Sequence, residues 1–168
     1  MERVFIMAFK VGIITASDKG YAGEREDKSG PVIAEIMTEH GYEVIRQTIL
    51  PDEQEMLAAE MIAMCEAGAD LVLTTGGTGF SQRDVTPEAT KQVIEREAAG
   101  IPNAILYYSL QITPKAMLSR ATAGIRGKTL IINLPGSPKA VREALDFIIK
   151  PLQHGLEIML GLDSECAR

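Results

Sequence analysis

Between Thr74 and Thr90 the chain reads TTGGTGFSQRDVTPEAT, a stretch built from residues that handle anions. Gly76, Gly77 and Gly79 permit positive φ and let a ligand approach the backbone closely. Successive exposed N–H groups in such a turn form an anion-binding concavity, and Thr74, Thr75 and Thr78 add hydroxyls. The plainer alternative is a tight turn holding nothing, although a plain turn seldom needs so many glycines. Arg83 and Asp84 follow, before a helix start at Thr86-Pro87. Asp84 reads either as an acid favoured by the helix dipole or as a metal ligand. A carboxylate beside an anion pocket is costly unless a cation sits between, and Mg²⁺ typically takes one or two carboxylates plus substrate phosphates. Asp52, at the end of an earlier strand, is the candidate second carboxylate. With Glu55 three residues later it also matches a helix-capping arrangement, and the two roles can coexist.

Two further stretches carry similar chemistry. LPGSPK (residues 134–139) is a strand end, a Pro135-Gly136 turn and a helix start, where free N–H groups and the dipole favour a phosphate. Ser137 adds a hydroxyl and Lys139 a charge; the alternative is simple capping. Ser17, Asp18 and Lys19 end the first strand and lead into a polar loop with Glu24, Arg25, Glu26 and Asp27. That loop is long for an α/β connection and reads equally as a binding loop or a solvated one. A dinucleotide fingerprint fails because Gln82 stands where its third glycine belongs. A phosphate-binding P-loop fails at Thr122, and Lys128 precedes a strand rather than a helix. His40 and His154 have no partners at ligand or triad spacing and read as helix-end or surface residues.

The elements that must position these residues follow from pattern. FKVGIITAS (9–17), YEVIRQTIL (42–50) and DLVLTT (70–75) read as strands, the first and third apolar throughout as in a sheet covered on both faces. Helices are predicted from Ser29 to Gly41, with Pro31 in the first turn, from Asp52 to Gly68, and from Thr86 to about Arg96. Residues 101–111 read as helical. Residues 121–136 read as a hairpin turning at Arg126-Gly127. A helix opens at Ser137-Pro138 and ends before Pro151, followed by a short tail helix. Strand and helix alternation predicts an open α/β sheet with helices on both faces and one antiparallel strand. In such sheets ligands bind beyond the carboxyl ends of the strands, where all three polar loops leave.

Composition narrows the function. The 168 residues suggest a single domain, 46% hydrophobic and 24% charged, with no Trp and hence an aliphatic core. A net charge of −6 argues against nucleic acid and anionic membranes as partners. Cys65 and Cys166 form neither a disulfide framework nor a metal pattern and suit a reduced cytoplasmic protein. MERVFIMAFK reads as too short and too interrupted for a signal peptide, and no apolar run approaches the ~18 residues of a membrane span. Residues 1–8 read as a dispensable extension, with Met7 an alternative start.

TTGGTG with RDVTPEAT, LPDE (50–53), TASDKG (15–20) and NLPGSPKAV together resemble the MoaB/Mog family of molybdenum cofactor biosynthesis. The resemblance spans about Phe9 to Leu160. It implies a three-layer α/β/α sandwich with a mostly parallel sheet, assembled as a trimer or hexamer. It implies Mg²⁺-dependent adenylylation of molybdopterin by ATP, with release of pyrophosphate and transfer of the product to a MoeA-type metal-insertion enzyme. By motif, Asp52 and Asp84 would be the catalytic, metal-binding acids. Gly76, Gly77, Thr78 and Gly79, with Thr75 and Thr86 beside them, would cradle a phosphate or pterin end. Ser17, Asp18, Pro135, Gly136 and Ser137 would complete the pockets. Phe80-Ser81-Gln82 is expected to vary and not to contact ligand. The chemistry is consistent with the residues: a phosphate monoester with a second pKa of about 6 is already dianionic at neutral pH and needs no histidine or serine base. Two alternatives are a non-catalytic molybdopterin-binding protein or scaffold of the MoaB branch, and a CinA-type nucleotide-cleaving enzyme, whose usual second domain is missing.

Overall fold

A computed structural model describes residues 8–162. Its strands are β1 (Lys10–Ala16), β2 (Glu43–Leu50), β3 (Leu71–Thr75), β4 (Arg96–Glu97), β5 (Ala123–Arg126) and β6 (Thr129–Leu134). Its helices are α1 (Asp18–Tyr21), α2 (Ser29–Glu39), α3 (Gln54–Glu66), α4 (Thr86–Val93), α5 (Gly100–Leu110) and α6 (Pro138–Met159), with a 3₁₀ turn at Pro114–Leu118. One six-stranded sheet has the order β2-β1-β3-β6-β5-β4. β1 pairs parallel with β2 and β3, and β3 parallel with β6. β5 runs antiparallel to both β6 and β4, so it alone points the other way.

Strand alternation sends side chains to two cores. Val11, Ile13, Leu71, Leu73, Ile132 and Leu134 face α2, α5 and α6. Ile14, Ala16, Val72 and Ile131 face α3 and α4. The result is the three-layer α/β/α architecture expected from the pattern. The order reverses at β1: the chain steps from β1 out to β2 and returns on β1's other side as β3. The carboxyl ends of β1 and β3 therefore flank a crevice, the usual ligand position in open α/β sheets.

Several local expectations change. Pro151 does not end a helix. It lies inside α6, which runs unbroken through 22 residues. An interior proline costs about 3 kcal/mol. Leu145, Ile148 and Ile149 before it, and Leu152 and Leu156 after it, form one buried stripe. At roughly 1.5–3 kcal/mol per buried side chain, that stripe outweighs the break. Residues 18–21, expected as loop, form the short α1. The helix from Thr86 stops at Val93, because Arg96 and Glu97 pair with β5. Asp52 does not cap α3; Glu53 is the N-cap residue and the Asp52 carboxylate turns elsewhere. Nor does Ser29 cap α2. Asp27 does so, its Oδ1 accepting from the Ser29 and Gly30 N–H groups at 3.1 Å each. Residues 1–7 and Cys166 lie outside the described residues.

Candidate active site

The glycine loop is held open by its neighbours. Gly76 and Gly77 have φ of +87° and +69°, the left-handed region that glycine tolerates. A Cβ on Gly76 would stand 2.3 Å from the Ala16 carbonyl oxygen, so the loop can lie against the end of β1 only without a side chain there. Thr86 fastens it from below: its Oγ1 donates to Gly76 O at 3.0 Å and its N–H to Gly77 O at 3.1 Å. Thr86 is thus the first residue of α4, with Val85 as N-cap. Thr75 Oγ1 donates to Pro135 O at 2.6 Å, and Ser29 Oγ to Gly136 O at 2.9 Å. The first ties the 134–138 turn to the strand end that enters the glycine loop, and the second ties it to α2. The N–H groups of Gly77, Thr78 and Gly79 have no acceptor among the described residues and remain available to a ligand.

Each of the last two glycines of the loop admits one carboxylate. A Cβ on Gly77 would meet Asp52 Oδ1 at 3.0 Å, and one on Gly79 would meet Asp84 Oδ2 at 2.9 Å. Asp52 and Asp84, from loops that follow β2 and β3, therefore both lie beside the glycine loop. Asp84 is placed by its own turn, Oδ2 accepting from Ser81 N–H at 3.1 Å. Asp52 and Asp18 are locked reciprocally: Asp18 N–H donates to Asp52 Oδ2 at 3.1 Å, and Asp52 N–H to Asp18 Oδ1 at 3.0 Å. Arg83 completes the arrangement. Its guanidinium donates to Asp18 at 2.9 and 3.0 Å and to Glu53 at 3.0 Å.

The electrostatics separate the two linked acids. The hydrogen bonds from Arg83, then that from the Asp52 N–H, hold the Asp18 carboxyl below the usual range. Burial pushes Asp52 up, and the nearby Asp18 and Asp84 charges add to the rise. Asp52 Oδ1 is buried and has no hydrogen-bond partner among the described residues. A buried carboxylate oxygen left bare, beside a second carboxylate and open N–H groups, fits a divalent cation that arrives with phosphates. Among the described residues no group of three or more His, Cys, Asp or Glu could hold a metal alone. Asp52 and Asp84 would offer two carboxylates, leaving the other positions around such a cation to water or substrate oxygens.

Other predicted residues serve differently. Ser17 Oγ accepts from Gly20 N–H and Ser137 Oγ from Ala140 N–H, so both hydroxyls cap helices. Asp18 meets protein groups through both oxygens and acts on Asp52. Phe80 stands exposed. Arg120 escaped sequence reasoning, because no spacing marks a lone arginine in LSRAT. So did Asn133, whose fully buried side chain donates to Thr74 and Thr90 and accepts from Thr122 N–H.

Two cavities open beside the loop. One, of about 590 Å³, has a polar wall of Ser17, Arg25, Asp27 and Lys28. The other, of about 520 Å³, is lined by Ile105, Leu106 and Ile112 together with Asn103, Lys115 and Arg120. Gly136 lines both. Cys65 is half-buried away from the site, its thiol pushed up by burial.

An open α/β domain with unsatisfied loop N–H groups, two carboxylates and twin cavities at its switch point belongs to the class that manipulates phosphorylated ligands. Comparison with known proteins narrows the class. The model of the probable molybdopterin binding domain matches residues 12–154. The molybdopterin adenylyltransferase of Helicobacter pylori strain J99 is 42% identical over 154 residues, covering 90% of this chain and 88% of that protein. That of Pyrococcus furiosus is also 42% identical over 154 residues, covering 89% and 90%. The solved structure of the molybdopterin biosynthesis enzyme MoaB from Thermus thermophilus superposes with a TM-score of 0.86 at 44% identity, covering 91% of this chain and 97% of that one. The chain belongs to the molybdopterin-binding domain family of molybdenum cofactor biosynthesis.

Proposed function

We propose that this protein is a molybdopterin adenylyltransferase: molybdopterin and ATP give adenylyl-molybdopterin and pyrophosphate. The terminal phosphate of molybdopterin, dianionic at neutral pH, attacks the α-phosphorus of ATP. A new P–O bond forms, the α–β bridge breaks, and pyrophosphate leaves. The task for the protein is to bring two polyanions together in line, through orientation and charge stabilisation rather than a base. The N–H groups of Gly77, Thr78 and Gly79 receive phosphate oxygens. Asp52 and Asp84 would hold Mg²⁺, which supplies charge neutralisation between the phosphates. Asp18 orients Asp52 through its peptide N–H, and Arg83 keeps Asp18 ionised. One cavity serves each substrate, and the pair meets at Gly136.

The observation that carries this reading is the bare, buried Asp52 Oδ1 against Gly77. The site works in the cytoplasm, in a trimer or hexamer, and passes its product to a MoeA-type metal-insertion enzyme. Incubating purified protein with molybdopterin, ATP and Mg²⁺ should yield pyrophosphate and a product heavier by one AMP unit. Saturable molybdopterin binding without pyrophosphate would instead identify a binding protein.

A further inference from the structure

We infer that Arg120 is a positioning residue for Asp84, acting by pinching shut the turn that carries it. The turn runs from Gly79 to Asp84, and one guanidinium holds both ends. Arg120 Nε donates to Gly79 O at 2.7 Å and Nη2 donates to Asp84 O at 2.7 Å. Its Nη1 pairs with Glu88 on α4, and its peptide N–H donates to Thr78 O at 2.8 Å. The side chain thus couples the glycine loop, the Asp84 turn and the first turns of α4 from a segment 36 residues further along the chain. Despite the burial of its partner, Glu88 is held below the usual carboxylate range by the Arg120 hydrogen bond, so the anchor stays charged.

The geometry explains why arginine stands there. Two carbonyls and a carboxylate surround one planar fork, and the five N–H donors of arginine reach all three at once. Lysine, a point charge, can keep the ion pair with Glu88 but not both carbonyl bonds in the same geometry. The Asp84 carboxylate touches Gly79 across the pinch. Loosening Gly79 from Asp84 therefore moves the carboxylate relative to the N–H groups meant for the same ligand. Arg120 also lines the cavity that holds Ile105 and Leu106, so a ligand seated there bears on the pinch directly.

This inference rests on the proposed adenylyl transfer only for its kinetic consequence. The test compares Arg120→Lys and Arg120→Ala with the parent protein by hydrogen exchange, ligand titration and turnover. Expected are faster exchange of the 79–84 amides in both variants, with melting temperatures near the parent's. Arg120→Ala should weaken binding of the substrate held in the cavity that Arg120 lines, while titration of the other substrate stays within a few-fold of the parent. Turnover should fall about a hundredfold in Arg120→Ala, as for a reacting group displaced by about 1 Å, and less in Arg120→Lys. Unchanged exchange at 79–84 in folded Arg120→Lys would overturn the inference, whatever the activity. So would a pure KM effect with kcat intact. If the parent protein itself makes no pyrophosphate, the functional reading fails, and the exchange data still decide whether Arg120 holds the turn.

Discussion

The two cavities that share Gly136 are built on different plans, although each mixes polar and apolar groups. The one beside β1 is walled by charged and hydroxyl groups from the 17–29 loop, among them Arg25, Asp27 and Lys28. The one beneath α5 sets Ile105, Leu106 and Ile112 beside Asn103, Lys115 and Arg120. Neither cavity contains Asp52 or Asp84 in its wall. Both carboxylates lie against the glycine loop between them. On the proposed function each cavity takes one substrate, and the reaction falls at the seam between them. Substitutions at the seam should then affect both substrates, and substitutions in a wall only one.

The largest effects belong to the seam. Asp52→Asn and Asp84→Asn should each lower kcat by about 10³-fold, the scale of losing a key electrostatic group, while titrations still show both ligands binding. Equal loss of binding and rate for one substrate alone would break the comparison. Gly76→Ala should follow. The new methyl would stand 2.3 Å from Ala16 O at a φ of +87°, so the loop must leave the end of β1. A cost of about 3 kcal/mol is expected for such strain, read as a melting temperature lower by about 6–12 °C together with weaker binding of both substrates.

Wall substitutions come next and sharpen the contrast. Arg25→Ala and Leu106→Trp should each raise KM about tenfold, roughly one lost contact of 1.4 kcal/mol, for different substrates and with kcat nearly kept. If both act on the same substrate, the two-plan reading fails. The smallest effect concerns pH and stability. Asp52 must be ionised to work, so kcat/KM should fall on acidification through a value raised by burial above that of a free aspartate. The same raised pKa means the folded state holds the proton more tightly than the unfolded chain. Stability contributed by protonated Asp52 is present at low pH and lost as pH rises through the folded value. Asp52→Asn should therefore raise the melting temperature at pH 8 by a few degrees while lowering kcat as above. A fall there would show that the charge is satisfied in the free protein.

Much of this was readable in the chain. Apolar runs such as DLVLTT dictate a two-sided sheet, and the glycines between Thr75 and Phe80 announce a loop built for close approach. Periodicity could not show what each hydroxyl would bond. Thr75, Thr86, Ser17 and Ser137 each also make a hydrogen bond within the fold, an internal role that no side-chain pattern reveals. Asp52 looked like a cap because a capping box depends only on spacing. Its partner Asp18 lies 34 residues away, and only tertiary packing brings the two together. Arg120 was invisible for the same reason. Pro151 misled because a local rule was applied where a long buried stripe prevails.

The central claim is that two substrates occupy separate walls around one seam. It is tested most directly by titrating molybdopterin into Asp52→Asn protein already saturated with an ATP analogue bridged by methylene between the α and β phosphorus atoms. The account predicts a ternary complex, one of each ligand per chain, with the molybdopterin affinity little changed by the analogue. Displacement of the analogue by molybdopterin would contradict it, since the two would then share a single cavity.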